Sequence, residues 1–118
     1  CIGIGVNLIA APDASQVEPG AVPPVSLLQE TGLRITPATF LDALAPAYAR
    51  WDATFIAEGF APLRSAWLSH AARLGEPIRA RTGAETREGV FETIDVQGNL
   101  ILRMSHGPVA IPAAEVFF

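Results

Sequence analysis

The sequence predicts an α+β fold in two parts: one strand with two main helices, then a small β-barrel. Three observations predict it. Prolines, glycines and apolar stripes mark out two long helical stretches between Thr36 and Gly75. Beyond Gly75, five short runs fill about 44 residues, punctuated by turn signals. The chain opens on an apolar run, Cys1-Ile2-Gly3-Ile4-Gly5-Val6-Asn7-Leu8, which reads as a strand buried on both faces.

That first strand carries glycines two positions apart. Strand residues two apart face the same side, so Gly3 and Gly5 leave one face bare, together with Cys1 and Asn7. Glycine weakens a strand, and close approach of a ligand or of another backbone is the usual reason for it. Two readings stay open. The bare face is the floor for a flat small molecule, with the Asn7 amide reading its polar edge. Alternatively a helix crosses the strand closely and Asn7 starts a turn. There is no initiator Met, and residue one falls inside a buried strand. The expectation is therefore a fragment lacking its beginning, with apolar surface exposed around Cys1 to Leu8 and a tendency to self-associate.

Ala10 to Pro24 is proline-rich, and Pro12-Asp13 and Glu18-Pro19-Gly20 are turn signals, so the segment reads as a surface loop. Val25 to Glu30 makes one helical turn, with Val25, Leu27 and Leu28 inward and Thr31-Gly32 ending it. Leu33 and Ile35 are expected to anchor this segment. Thr36 and Pro37 suit the N-cap and first position of a long helix. Phe40, Leu44, Tyr48, Trp51 and Phe55 form one stripe along it. Pro46 predicts a kink, and Gly59 a stop. Pro62 opens a second helix with Leu63, Trp67, His70, Ala71 and Leu74 on one face and Gly75 at its end. The two helices are expected to cover one side of a sheet. His70 has no second ligand or carboxylate at helical spacing and reads as a packing or capping residue.

The five expected strands are Pro77 to Thr82, Thr86 to Ile94, Asn99 to Met104, Pro108 to Ile111 and Glu115 to Phe118. Gly89 marks a bulge or bend in the second. Gly83-Ala84 and Asp95-Val96-Gln97-Gly98 are turns.

Composition excludes several chemistries. The chain has 118 residues, 50% hydrophobic and 17% charged, with a net charge of −4, so one domain or two small ones with a real core are expected. No basic run exists to bind nucleic acid. All the basic residues are arginine; there is no lysine to form a Schiff base, grip a phosphate or be modified. One cysteine excludes an internal disulfide framework and cysteine-built zinc sites, and fits a reducing, cytoplasmic setting. No apolar run is long enough to span a membrane. Gly3-Ile4-Gly5 lacks the third glycine of a dinucleotide fingerprint, Leu8 standing in its place. Glu88, Glu92 and Asp95 read as a solvated face; Arg79, Arg81 and Arg103 read as surface charge on one side of the barrel, with a phosphate or carboxylate contact as the alternative. No complete catalytic set and no metal site are found.

Taken in order, the Gly3-Ile4-Gly5-Val6-Asn7-Leu8 strand, the proline-rich loop, the Leu-rich turn, two Trp-bearing helices and a small barrel resemble the C-terminal half of biotin protein ligases. In the barrel, Gly89, Ile94-Asp95, Gly98-Asn99-Leu100 and Glu115-Val116 carry the likeness. The resemblance implies that residues 1–74 are the remainder of a mixed-sheet catalytic domain and residues 75–118 an SH3-like barrel. It implies biotin and ATP (with Mg2+) as substrates forming biotinyl-5′-AMP, and transfer of biotin to a lysine of a carboxyl carrier domain. It implies that Gly3 and Gly5 flank the biotinyl-adenylate and that Asn7 faces its adenylate part. It places the family's arginine- and glycine-rich loop and its adenylate-contacting lysine before residue 1, so the missing N-terminal half is a required partner; a homodimer stays open. One departure is Ala114, where the family often has Gly before Glu-Val. A stand-alone SH3-like interaction module without enzymatic activity is the alternative. A biotin carrier domain is rejected, because no acceptor lysine exists.

Overall fold

The computed structural model describes residues 2–18, 22–83, 85–112 and 114–117, and only the backbone of Ala14 and Phe117. Cys1, the Pro19-Gly20 turn, Ala84 and Phe118 lie outside the described residues. The chain divides into two compact units, Cys1–Arg50 and Trp51–Phe118.

In the first unit, residues 2–7 belong to no helix, turn or paired strand. Ile2 is 72% exposed, and Ile4 and Val6 are about half exposed. This corrects the expected buried strand. A strand exists only where a neighbour takes up its N–H and C=O groups, and the described residues place none alongside this run. The exposed apolar surface expected for an unpartnered run is present.

A short 3-10 turn, Ala14–Gln16, follows. Helix α1, Leu27–Thr31, starts at Ser26, whose Oγ accepts from Gln29 N, and ends at Gly32 in the left-handed region, φ 73°. Val25 and Leu33, both expected inside, are exposed, while Leu27, Leu28 and Ile35 are half-buried. Helix α2 runs Pro37–Glu58. Thr36 Oγ1 accepts from Thr39 N at 3.1 Å, the cap the sequence predicts. The helix continues through Pro46. Its apolar stripe is another correction: no residue of α2 is buried, and Tyr48, Trp51 and Phe55 are exposed.

In the second unit, α3 spans Phe60–Leu68, starting earlier and ending sooner than expected. Gly59, φ 76°, breaks the chain between α2 and α3. Pro62 sits in the first turn of α3, where its missing N–H is no loss. Beyond α3 the chain turns rather than winding on: Arg73 has φ 61° and Gly75 φ 82°, and Gly75 N donates to Phe91 O at 2.8 Å.

The strands are β1 Pro77–Arg81, β2 Thr86–Ile94, β3 Leu100–Met104, β4 Gly107–Ile111 and β5 Glu115–Phe117. They form one antiparallel sheet in the order β4-β3-β2-β1-β5. All five lie within a residue of expectation, but no β4–β5 ladder closes the sheet among the described residues. Ile78, Ala80, Phe91, Leu102 and Ile111 are its buried core. Gly89 is not the bulge. A Cβ there would lie 2.9 Å from Arg103 O, so Gly89 admits the backbone of β3. The register shifts instead between Phe91 and Thr93. This extra residue resets the alternation, so that Phe91 and Ile94, three apart, both meet the core.

Helix α3 is tied to β2 by Arg64. Its Nε donates to Ile94 O at 2.5 Å and its Nη2 to Thr93 Oγ1 at 3.0 Å. Trp67 meets Phe91 edge-on, ring centres 6.1 Å apart. Surface pairs complete the unit: Arg73–Glu76, Arg81–Glu115, Arg87–Glu85 and the longer Arg103–Glu92 contact. Arg81 and Arg103, expected as surface charge, are such pairs. Exposed ion pairs of this kind contribute about 0–1 kcal/mol each.

Candidate functional site

Gly3, Gly5 and Asn7 lie on the exposed segment 2–7 described above. A Cβ built at Gly3 or at Gly5 would meet nothing within 4 Å. The bare side read from the sequence is therefore open space, and no helix fills it among the described residues.

Asn7 is held more firmly than the residues before it. Leu27 N donates to Asn7 O at 2.8 Å, and Leu28 N to Leu8 O at 3.0 Å. These are the first two amides of α1, which have no partner inside a helix. In return, Asn7 Nδ2 donates to Val25 O at 3.1 Å. Ser26 Oγ lies 3.2 Å from Ile9 O and 2.9 Å from Gln29 Oε1, sharing its one proton between them. Ser26 N donates to Gln29 Oε1 at 3.0 Å, completing a capping box. The start of α1 thus grips residues 7–9 through both main chain and side chains. With one N–H of Nδ2 engaged, Asn7 keeps its second N–H as a donor and its Oδ1 as an acceptor.

Sequence reading missed Ser26. It is 1% exposed, the one buried polar residue among those described. The signal was present in Ser26-Leu27-Leu28-Gln29, a serine followed at the third position by glutamine before a short helix.

The second unit offers a wide apolar groove of about 850 Å³ lined by Trp51, Phe60, Leu63, Trp67, His70 and Ile94, among others. His70 is exposed on its rim, its N–H donating to Trp67 O at 3.0 Å. No second titratable group in the groove lining accompanies it, so the groove offers packing surface and no acid–base pair.

The Asp95 turn is electrostatically distinct. Asp95 Oδ2 accepts from Asn99 Nδ2 at 2.8 Å, and Oδ1 from Gln97 N and Asn99 N. The Asn99 side-chain bond chiefly holds its carboxyl below the ordinary 3.8; partial loss of hydration pushes it upward, and the turn amides add to the lowering. Every bond is spent on closing the turn, with Gly98 at φ 85°. Among the described residues no group of three His, Cys, Asp or Glu residues could hold a metal ion.

Residues 74–118 match the family model of the biotin protein ligase C terminal domain. Over 117 residues, 99% of this chain, the sequence is 62% identical to the biotin–[acetyl-CoA-carboxylase] ligase of Paracoccus denitrificans. The chain belongs to the biotin protein ligase family. It spans about half of that relative, 49% of its length. It is also 30% identical, over 98% of its length and 35% of the relative's, to the bifunctional ligase/repressor BirA of Bacillus subtilis. Among solved structures, the apo biotin protein ligase of Aquifex aeolicus aligns at TM-score 0.79 over 93% of this chain and 49% of that one, with 14% identity. The same enzyme in complex with biotin and ATP aligns at 0.70 over 78% and 39%, with 16% identity. At that identity the likeness speaks for the α+β fold alone.

The features that carried the resemblance take on physical roles in this ligase-family chain. Gly89 admits β3, Asp95 and Gly98 build the tight turn, and Leu100 begins β3. Ala114 in place of glycine is accommodated: Arg73 is the non-glycine residue with positive φ among those described, so Ala114 sits in ordinary backbone. No helix among the described residues is long and apolar enough to cross a membrane.

Proposed function

We propose that this chain is the adenylate-positioning and C-terminal portion of an ATP-dependent biotin–[biotin carboxyl carrier protein] ligase. The carboxylate of biotin attacks the α-phosphorus of ATP and expels pyrophosphate, giving biotinyl-5′-AMP. The amine of a carrier lysine then attacks the acyl carbon and expels AMP. The 62% identity to the Paracoccus ligase across nearly the whole chain carries this reading.

Within that reaction, Gly3 and Gly5 flank the adenylate and Asn7 contacts its nucleotide part. The open space beside both glycines and the held Asn7 amide support these roles. They are positioning groups: an amide neither gives nor takes a proton at neutral pH, and none of the three is charged. Among the described residues no group of three His, Cys, Asp or Glu is placed to hold Mg2+. Residues 1–74 complete the catalytic domain, and residues 75–118 form an SH3-like barrel that supports ATP handling or carrier docking. The pairing of β1 with both β2 and β5 supports the barrel reading. The reacting-centre lysine comes from the other half, because this chain has none. The enzyme works in the cytoplasm, a reducing setting that the single cysteine fits.

The test is reconstitution. This chain joined to the remaining half should transfer biotin to a carrier lysine with ATP, and the chain alone should not. Absence of transfer from the complete protein, under conditions where the Paracoccus enzyme works, overturns the assignment.

A further inference from the structure

We infer that Ser26 is a positioning residue for nucleotide binding, acting through Asn7. This rests on the adenylate reading of Asn7 proposed above. Asn7 sits in a run whose preceding residues are exposed and have no strand partner among the described residues, so its geometry is not set by a strand there. It comes from the segment 25–28. Four hydrogen bonds join the two segments: Asn7 Nδ2 to Val25 O, Leu27 N to Asn7 O, Leu28 N to Leu8 O and Ser26 Oγ to Ile9 O. Two of these hold Asn7 itself, one by its side chain and one by its carbonyl.

Ser26 is the hub of this clasp. Its own N–H and Oγ both bond Gln29 Oε1, and its Oγ accepts from Gln29 N at 3.3 Å. This fixes where α1 begins. The start of α1 in turn fixes where the Leu27 and Leu28 amides point, and so where Asn7 O and Leu8 O are held. Val25 O, the acceptor for Asn7 Nδ2, belongs to the peptide unit that ends at Ser26 N. Burial of Ser26 removes the option of water replacing these bonds. A hydroxyl that never reaches the ligand therefore sets the direction of the amide that does. Helix α1 is too short to persist by itself, which makes its cap decisive for its position.

The experiment is a double-mutant cycle in the complete enzyme, reading affinity for a non-hydrolysable biotinyl-adenylate analogue, with biotin affinity as a second readout. Ser26→Ala should weaken the analogue about fivefold to tenfold, the cost of a disrupted hydrogen-bonded cap and a displaced contact. Biotin alone should bind within about twofold of wild type. Asn7→Ala should weaken the analogue at least as much. The double variant should be about as weak as Asn7→Ala, because the same contact is lost only once. Additive losses, or equal losses for biotin and the analogue, overturn the inference and leave Ser26 a stability residue. An Asn7→Ala variant with unchanged affinity overturns the adenylate role of Asn7 itself, a distinguishable outcome. Should Ser26→Ala fail to fold, Gln29→Ala, at an exposed position, loosens the same cap. It should show a smaller loss with the same dependence on Asn7, and independence from Asn7 overturns the inference equally.

Discussion

Residues 2–9 and strand β3 are both short apolar runs, yet one is exposed and the other holds the most buried leucine in the chain. Leu102 in β3 is fully buried and its strand is paired on both sides, to β2 and to β4. Ile2, Ile4 and Val6 have comparable side chains and no ladder. Hydrophobicity alone does not make a strand; a neighbour to hydrogen-bond does. The sheet obtains its neighbours from about forty contiguous residues joined by tight turns, where closing each loop costs little. The first run obtains one anchor, at its far end, from a capped helical turn eighteen residues on.

The most forceful way to break this contrast is to damage the sheet. Leu102→Ala should cost about 2–5 kcal/mol, as a cavity in a packed core. Denaturant unfolding followed by Trp67 fluorescence reads it, and an unchanged midpoint would deny the sheet its core role. Hydrogen exchange at residues 2–6 should be fast before and after the change.

A smaller loss is expected where backbone meets backbone. Gly89→Ala puts a methyl group 2.9 Å from Arg103 O, which cannot move without shifting β3. About 1–3 kcal/mol of destabilisation is expected, measured in the same way. A neutral result would mean that β3 gives way freely.

The smallest effect is a pH dependence that the first run should lack. The Asp95 carboxyl lies below its ordinary value in the folded chain, chiefly through Asn99. Its contribution is therefore complete above 3.8 and is lost as pH falls through the lower folded value. Asp95→Asn should flatten that part of the acid-unfolding curve. An identical acid limb in both proteins would separate the turn from acid stability.

The sheet was legible because its signals are local. Asp95-Val96-Gln97-Gly98 encodes its own turn, and Ile78 and Ala80 alternate with arginines as the burial does. The end of α3 was not legible, since nothing in the sequence singles out Arg73 for a left-handed conformation. Gly89 was read correctly as special but for the wrong reason. Glycine in a strand marks either a bulge or a close approach, and only coordinates separate the two. The expected burial of Ile2 to Leu8 failed for a non-local reason, because a buried strand needs neighbours that composition cannot supply. Asn7 was legible as a residue and illegible as a geometry, since its clasp depends on Ser26.

The ion pairs on the second unit all draw their positive partner from arginine, which has one more consequence. Biotinyl-5′-AMP is a mixed anhydride, and any unprotonated amine nearby can intercept it. A guanidinium stays protonated and does not act as a nucleophile at neutral pH. On the proposed reading, Arg73, Arg81, Arg87 and Arg103 give the surface its cations without an acceptor for stray acyl transfer. If that reading holds, these side chains are spared from labelling by the intermediate, which is left for the carrier.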